Sequence, residues 1–146
     1  MNSLLVEYYK NVLLTINQKR TNGKSNIAKP ILLLTIIALI DEGYIIGNTI
    51  RFDNHLIETY NRLFKQYSDV ITPVVYPFYY MRHDAFYAIK GKAERKTPSA
   101  KYIHDNIEYA YLDDGLWELL QDESIRNEYR QQIINQYLKD NNNKIS

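Results

Sequence analysis

The residues of this chain best suited to chemistry fall in one stretch, 76–89, which reads Tyr-Pro-Phe-Tyr-Tyr-Met-Arg-His-Asp-Ala-Phe-Tyr-Ala-Ile. Arg82, His83 and Asp84 offer a cation, a titratable ring and a carboxylate in succession, between the aromatic runs Phe78-Tyr79-Tyr80 and Phe86-Tyr87. Aromatic runs around a polar triplet predict a short antiparallel hairpin with a charged tip. Pro77 has no N–H to give to a ladder, so it suits the first residue of an edge strand and leaves its ring to a ligand. Tyrosine joins an apolar body to a polar end. A cluster of them beside an arginine suits a hydrated, anionic, ring-bearing partner, and it equally suits a hairpin face turned to the core. Acid–base work by His83 and Asp84 is disfavoured, because neighbours at a hairpin tip point to opposite faces. The chain therefore reads as no enzyme.

Other chemistries are restricted by composition. There is no cysteine, and His55, His83 and His104 lie far apart, so thiol chemistry is excluded and no metal or other cofactor is expected. The formal charge of +1 conceals segregation. Lys19, Arg20, Lys24 and Lys29 contain no acid among them, and Arg82, Lys90, Lys92, Arg95, Lys96 and Lys101 face only Asp84 and Glu94. From residue 105 to 128 the sign reverses, with Asp105, Glu108, Asp113, Asp114, Glu118, Asp122, Glu123 and Glu128 against Arg126. Such asymmetry creates a positive side that attracts polyanions, nucleic acid being the commonest.

The elements that must carry these groups are mostly helical. Leu4, Leu5, Tyr8, Val12 and Ile16, with Leu13 beside them, recur at helical spacing, which predicts an amphipathic helix to about Arg20, capped by Asn2 or Ser3. A loop follows, with Gly23 as a left-handed stop. The segment 30–42 is apolar almost all round, with Pro30 at its start and Gly43 after its end, and predicts a buried central helix. Lys29 stands at its N-terminus, as a phosphate site or as an ordinary solvated lysine. Gly47-Asn48 predicts a tiny hairpin or turn, and Asp53 caps a helix with Leu56, Ile57, Tyr60, Leu63, Phe64 and Tyr67 on one face. Residues 91–99 read as a mobile basic loop or wing, 103–112 as helix or strand with a break at Asn106, and 116–121 as a short helix. A last helix over 123–138 buries Ile125, Tyr129, Ile133 and Tyr137. The expected fold is α+β and mainly helical: one winged-helix-like domain over 1–138 with a buried central helix and a small aromatic β-hairpin, then a disordered polar tail over 139–146. With no signal sequence and no apolar run long enough to span a bilayer, a cytoplasmic protein is expected.

Three motifs, in order, resemble a family. Lys29-Pro30-Ile31-Leu32-Leu33-Leu34 is similar to a His-Lys/Arg-Pro-Leu-Leu-Leu helix opening, Tyr76-Pro77-Phe78-Tyr79-Tyr80-Met81 to Tyr-Pro-Phe-Trp-X-Leu, and Asp84-Ala85-Phe86-Tyr87 to Asp-Gly-Phe/Leu-Trp. These motifs are those of the N-terminal DNA-recognition domain of HNH-type restriction endonucleases, including the sulfur-binding domain that reads phosphorothioate-modified DNA. Residues 110–122 look similar to those nucleases as well. The chain departs from the pattern at Ala28, where the sulfur-reading branch has a histidine donor, at Tyr79 and Tyr87 for tryptophan, and at Ala85 for glycine. No His-Asn-His nuclease core can be placed. The resemblance implies a reader of double-stranded DNA, phosphorothioate-modified DNA included, whose cutting belongs to a separate HNH nuclease domain or chain. It implies that Pro77, Tyr76 and the surroundings of Tyr80 form an apolar dent for sulfur while Lys29 balances the backbone charge. Lys24, Arg82, Lys92, Arg95 and Lys96 would then contact phosphates, and Arg82 or His83 would reach base edges. The competing assignment is a protein-interaction or oligomerisation module built on the tyrosine surface, since tyrosine and arginine also dominate protein interfaces.

Overall fold

A helix that is apolar on every side has to be surrounded, and the fold is organised around one. The computed structural model describes residues 3–18, 20, 21 and 24–139, without the side chains of 20, 21, 24 and 25. In chain order these form α1 (Ser3–Leu13), β1 (Arg20–Thr21), β2 (Lys24–Ser25), α2 (Ala28–Asp41), α3 (Asn54–Lys65), α4 (Val75–Tyr80), a 3-10 turn (Met81–His83), β3 (Tyr87–Gly91), α5 (Ala100–Asn106), β4 (Ile107–Leu112), α6 (Asp114–Leu119) and α7 (Glu123–Ile133), which a π-helical turn (Ile134–Leu138) extends. The architecture is α+β. The expected Asn2 cap, Lys19, the Gly23 stop and the tail from residue 140 lie outside the described residues.

Eleven of the fourteen residues of α2 are buried, so no single stripe suffices, and α3, α4 and α7 all pack on it. Its one buried hydroxyl is satisfied internally, Thr35 Oγ1 donating to Ile31 O at 2.8 Å. The helix ends as expected at Gly43, whose φ of 76° is left-handed. Asp53 caps α3 as expected, its carboxylate accepting Leu56 N–H at 2.9 Å. The buried side chains of the described residues form one continuous core that runs from Tyr9 to Leu138.

An antiparallel aromatic strand pair exists, but only its first strand, which contains Tyr87, is one of the two expected. Residues 75–80 are helical, and β3 pairs with β4, in the register Tyr87 opposite Leu112 and Ile89 opposite Ala110. The aromatic run reads as strand by propensity, yet Phe78, Tyr79 and Met81 are all buried, at helical rather than alternating spacing. Pro77 is the third helical residue, where no donor is required, and it is buried rather than open at a strand edge. Asn106 breaks 103–112 as expected, with helix before and strand after. At the bulge beside it, Gly91 has φ 138°, and a Cβ there would stand 2.2 Å from Asn106 O.

Helix α1 stops at Leu13 rather than near Arg20. Leu14 and Thr15 N–H still bond back to α1 carbonyls, and tertiary acceptors capture the two donors after them: Ile16 N–H donates to Tyr137 Oη at 3.2 Å and Asn17 N–H to Asp84 Oδ1 at 3.1 Å. The buried face is shifted: Leu13 and Ile16 are buried as expected, but Tyr9 joins them while Leu4 and Tyr8 are exposed. Of the hairpin or turn expected at Gly47-Asn48, the chain forms the turn, in which the Asn48 amide pairs with both backbone groups of Leu112. In the last helix the π turn adds a residue to the spacing, so Leu138 is buried and Tyr137 only partly so.

Candidate functional site

Helix α4 is short because the chain enters it from Pro73, whose carbonyl accepts Tyr76 N–H at 3.1 Å, and leaves it through the 3-10 turn. Burial of Phe78 and Tyr79 fixes its rotation. Tyr87 Oη donates to Phe78 O at 2.6 Å, and burial holds that hydroxyl well above its usual pKa, so it stays a neutral donor. Tyr76 and Tyr80, four residues apart, then share one side of α4 and stack with ring centres 6.2 Å apart.

Beside that stack is a second set of rings that carries cations. The Arg82 guanidinium lies 3.8 Å from the centre of the Tyr79 ring and donates to Tyr79 O at 3.0 Å. Burial raises the Tyr79 hydroxyl above its ordinary pKa, against a smaller downward pull from Arg82. That hydroxyl donates to Arg95 O at 2.5 Å, and Tyr79 meets Tyr102 edge to face at 6.1 Å. The Arg95 guanidinium lies 5.1 Å over Tyr102. Tyr102 Oη donates to Lys92 O at 2.6 Å and accepts Glu94 N–H at 3.0 Å and Arg95 N–H at 3.3 Å. Where a mobile loop was expected, the backbone of 92–95 is strapped to two tyrosines, with Lys92, Arg95 and Lys96 exposed. Among the described residues, Arg82, Lys92, Arg95 and Lys96 make no ion pair with a carboxylate.

Lys29 and Asp84 are disposed differently. Lys29 Nζ donates to Asp84 Oδ2 at 2.7 Å, and the two side chains are 15% and 6% exposed. Asp84 Oδ1 takes Asn17 N–H, so this carboxylate ties α2 to the segment after α1. The open phosphate site expected at Lys29 is thereby filled by the protein's own carboxylate. The N-terminal backbone of α2 is also served from within, Asn26 Oδ1 accepting Ala28 N–H at 2.7 Å.

The structure thus brings Tyr76, Tyr80, Arg82, Lys92, Arg95 and Lys96 to α4 and the loop strapped to it, with His83 exposed at the end of the 3-10 turn. Lys29 and Pro77 are withdrawn, and the side chain of Lys24 lies outside the described ones. His83 and Asp84 do not converge, one being exposed and the other buried. No cluster of His, Asp or Glu among the described residues could hold a metal ion, and none of their helices is long and apolar enough to cross a membrane. Sequence reasoning missed Tyr102, the residue that holds the loop; its position three residues after Ser99, whose hydroxyl caps α5, was the available signal. It also missed Arg51 and Tyr109, whose guanidinium and ring meet on the outward face of the β3–β4 sheet. In comparisons with known proteins, no family model matches this chain and no curated protein matches it.

Proposed function

We propose that this chain is a cytoplasmic reader of double-stranded DNA in a restriction-type defence system, with cutting supplied by an HNH nuclease domain or partner chain. One observation carries the reading: Arg82 and Arg95 are held on tyrosine rings, with Lys92 and Lys96 in the same loop and no carboxylate paired to any of them among the described residues. Uncompensated cations on a tyrosine-rich face attract phosphates, and ring stacking holds the guanidiniums ready without neutralising them. In this reading Arg82 and the exposed His83 reach base edges once the backbone is docked. In a winged-helix reading, loop 92–99 is the wing.

The narrower form of the proposal is a preference for phosphorothioate. A sulfur is larger and less well hydrated than oxygen, so an apolar wall favours it. That wall is Pro77, which is buried, and the balancing cation is Lys29, which is paired with Asp84; sulfur reading therefore requires both to be uncovered on binding. The test is anisotropy with one duplex, with and without a single phosphorothioate, on wild type, Arg82→Ala and Pro77→Ala. Arg82→Ala should weaken both duplexes, and Pro77→Ala should weaken only the modified one, by about tenfold. Equal wild-type affinity for the two duplexes would remove the modification and keep the DNA reading. An Arg82→Ala variant that binds as well as wild type would remove the face. Salt-insensitive self-association would favour the interaction module instead.

A further inference from the structure

The outward face of the β3–β4 sheet carries rings and cations of its own. The register sets Tyr87 and Leu112, then Ile89 and Ala110, toward the core, and leaves Ala88 opposite Tyr111 and Lys90 opposite Tyr109 on the other face. Arg51 joins them, because the preceding Ile50 bridges to Ala110 through two backbone bonds of 2.7 and 2.8 Å. Its guanidinium lies 5.7 Å from the Tyr109 ring centre, and Lys90 Nζ lies 5.8 Å from it. Tyr111 meets Tyr109 edge to face at 6.1 Å and is 38% exposed. Cations cover Tyr109, whereas Ala88 offers only a methyl group opposite Tyr111. Among the described residues Lys90 pairs only with Glu108, 3.9 Å away at the limit of an ion pair, and Arg51 makes no ion pair.

We propose that this sheet face is a second site, which takes an unpaired nucleic-acid strand: one base stacks on Tyr111 while the adjoining phosphates meet Arg51 and Lys90. Every base has an apolar π face that a tyrosine can cover, and cations flanking the ring match the charge of the backbone. Within a duplex those faces are already stacked on one another, so the occupant has to be single-stranded. The site shares no side chain with the α4 face and stands whether or not that face binds duplex.

The test uses the full chain and a labelled short oligothymidylate, with thermal melting recorded for each variant. Tyr111→Ala should weaken binding about tenfold, and Tyr111→Phe should retain it, because stacking uses the ring and not the hydroxyl. Arg51→Ala should shallow the salt dependence by about 0.7 in log–log slope. Unaltered affinity in a folded Tyr111→Ala variant overturns the inference, as does polyglutamate binding as tightly as the oligonucleotide. A loss with Arg82→Ala and none with Tyr111→Ala places the strand on the α4 face and also overturns it.

Discussion

Lys29 lies in a motif that carries the resemblance and Arg82 directly follows another, and the fold treats them oppositely. Lys29 is enclosed against Asp84, a carboxylate that cancels its charge; Arg82 lies against the face of Tyr79 and a carbonyl, which orient its guanidinium and leave its charge in place. The first arrangement ties segments together, and the second keeps a cation presented. What neighbours a cation, rather than its position in a motif, decides whether its field reaches a phosphate.

The largest expected effect separates those two roles. Asp84→Ala strands the Lys29 charge and leaves Asn17 N–H without its acceptor, and it should cost about 3 kcal/mol in urea unfolding. The double change Lys29→Met with Asp84→Leu should cost less than Asp84→Ala alone, because nothing charged is then left enclosed. If Asp84→Ala costs under about 1 kcal/mol, the pair behaves like a surface one and the contrast with Arg82 disappears. Arg82→Ala removes a cation–π contact and should cost no more than about 1 kcal/mol of stability while weakening duplex binding several-fold.

Alkaline pH probes the packing of α1 and α7, which carry Tyr9 and Tyr129. Burial, with the hydrogen bond to Asp113 next, pushes the Tyr9 hydroxyl up to about 12, and burial does the same for Tyr129, also to about 12. The native state therefore keeps these protons longer than the unfolded chain does. Their contribution is complete below pH 10 and lost as pH rises toward about 12. Unfolding monitored across that window should show stability falling in wild type and falling less steeply in Tyr9→Phe. Smallest of all, Lys92→Ala with Lys96→Ala should change stability by less than about 0.5 kcal/mol, since both side chains are exposed, yet shallow the salt dependence of duplex binding.

What could be read from the sequence tracks how local the deciding forces are. Helix α2 was legible because its apolar run and Gly43 all point the same way, and α3 because Asp53 and its apolar stripe agree. Helix α4 was not, because Tyr-Pro-Phe-Tyr-Tyr has strand propensity, and only packing on α2 and the hydroxyl of Tyr87 make it helical. The end of α1 was equally hidden, since it is set by Asp84 and Tyr137, about seventy and one hundred and twenty residues away. At the site, the basic loop was legible from composition. Its fixation was not, because it depends on Tyr102 reaching back across a turn to Lys92, Glu94 and Arg95. Lys29 was read as open because its partner lies in a different motif, fifty-five residues on.

Arg82, Lys92, Arg95 and Lys96 are proposed to act together as a charge surface for a duplex. A salt titration of duplex binding, in wild type and in Arg82→Ala with Arg95→Ala, tests it most directly. Wild-type affinity should fall with a log–log slope of about −3 to −4, and removing the two arginines should shallow that slope by about 2. A wild-type slope near zero, or the same slope in the double variant, would contradict the claim.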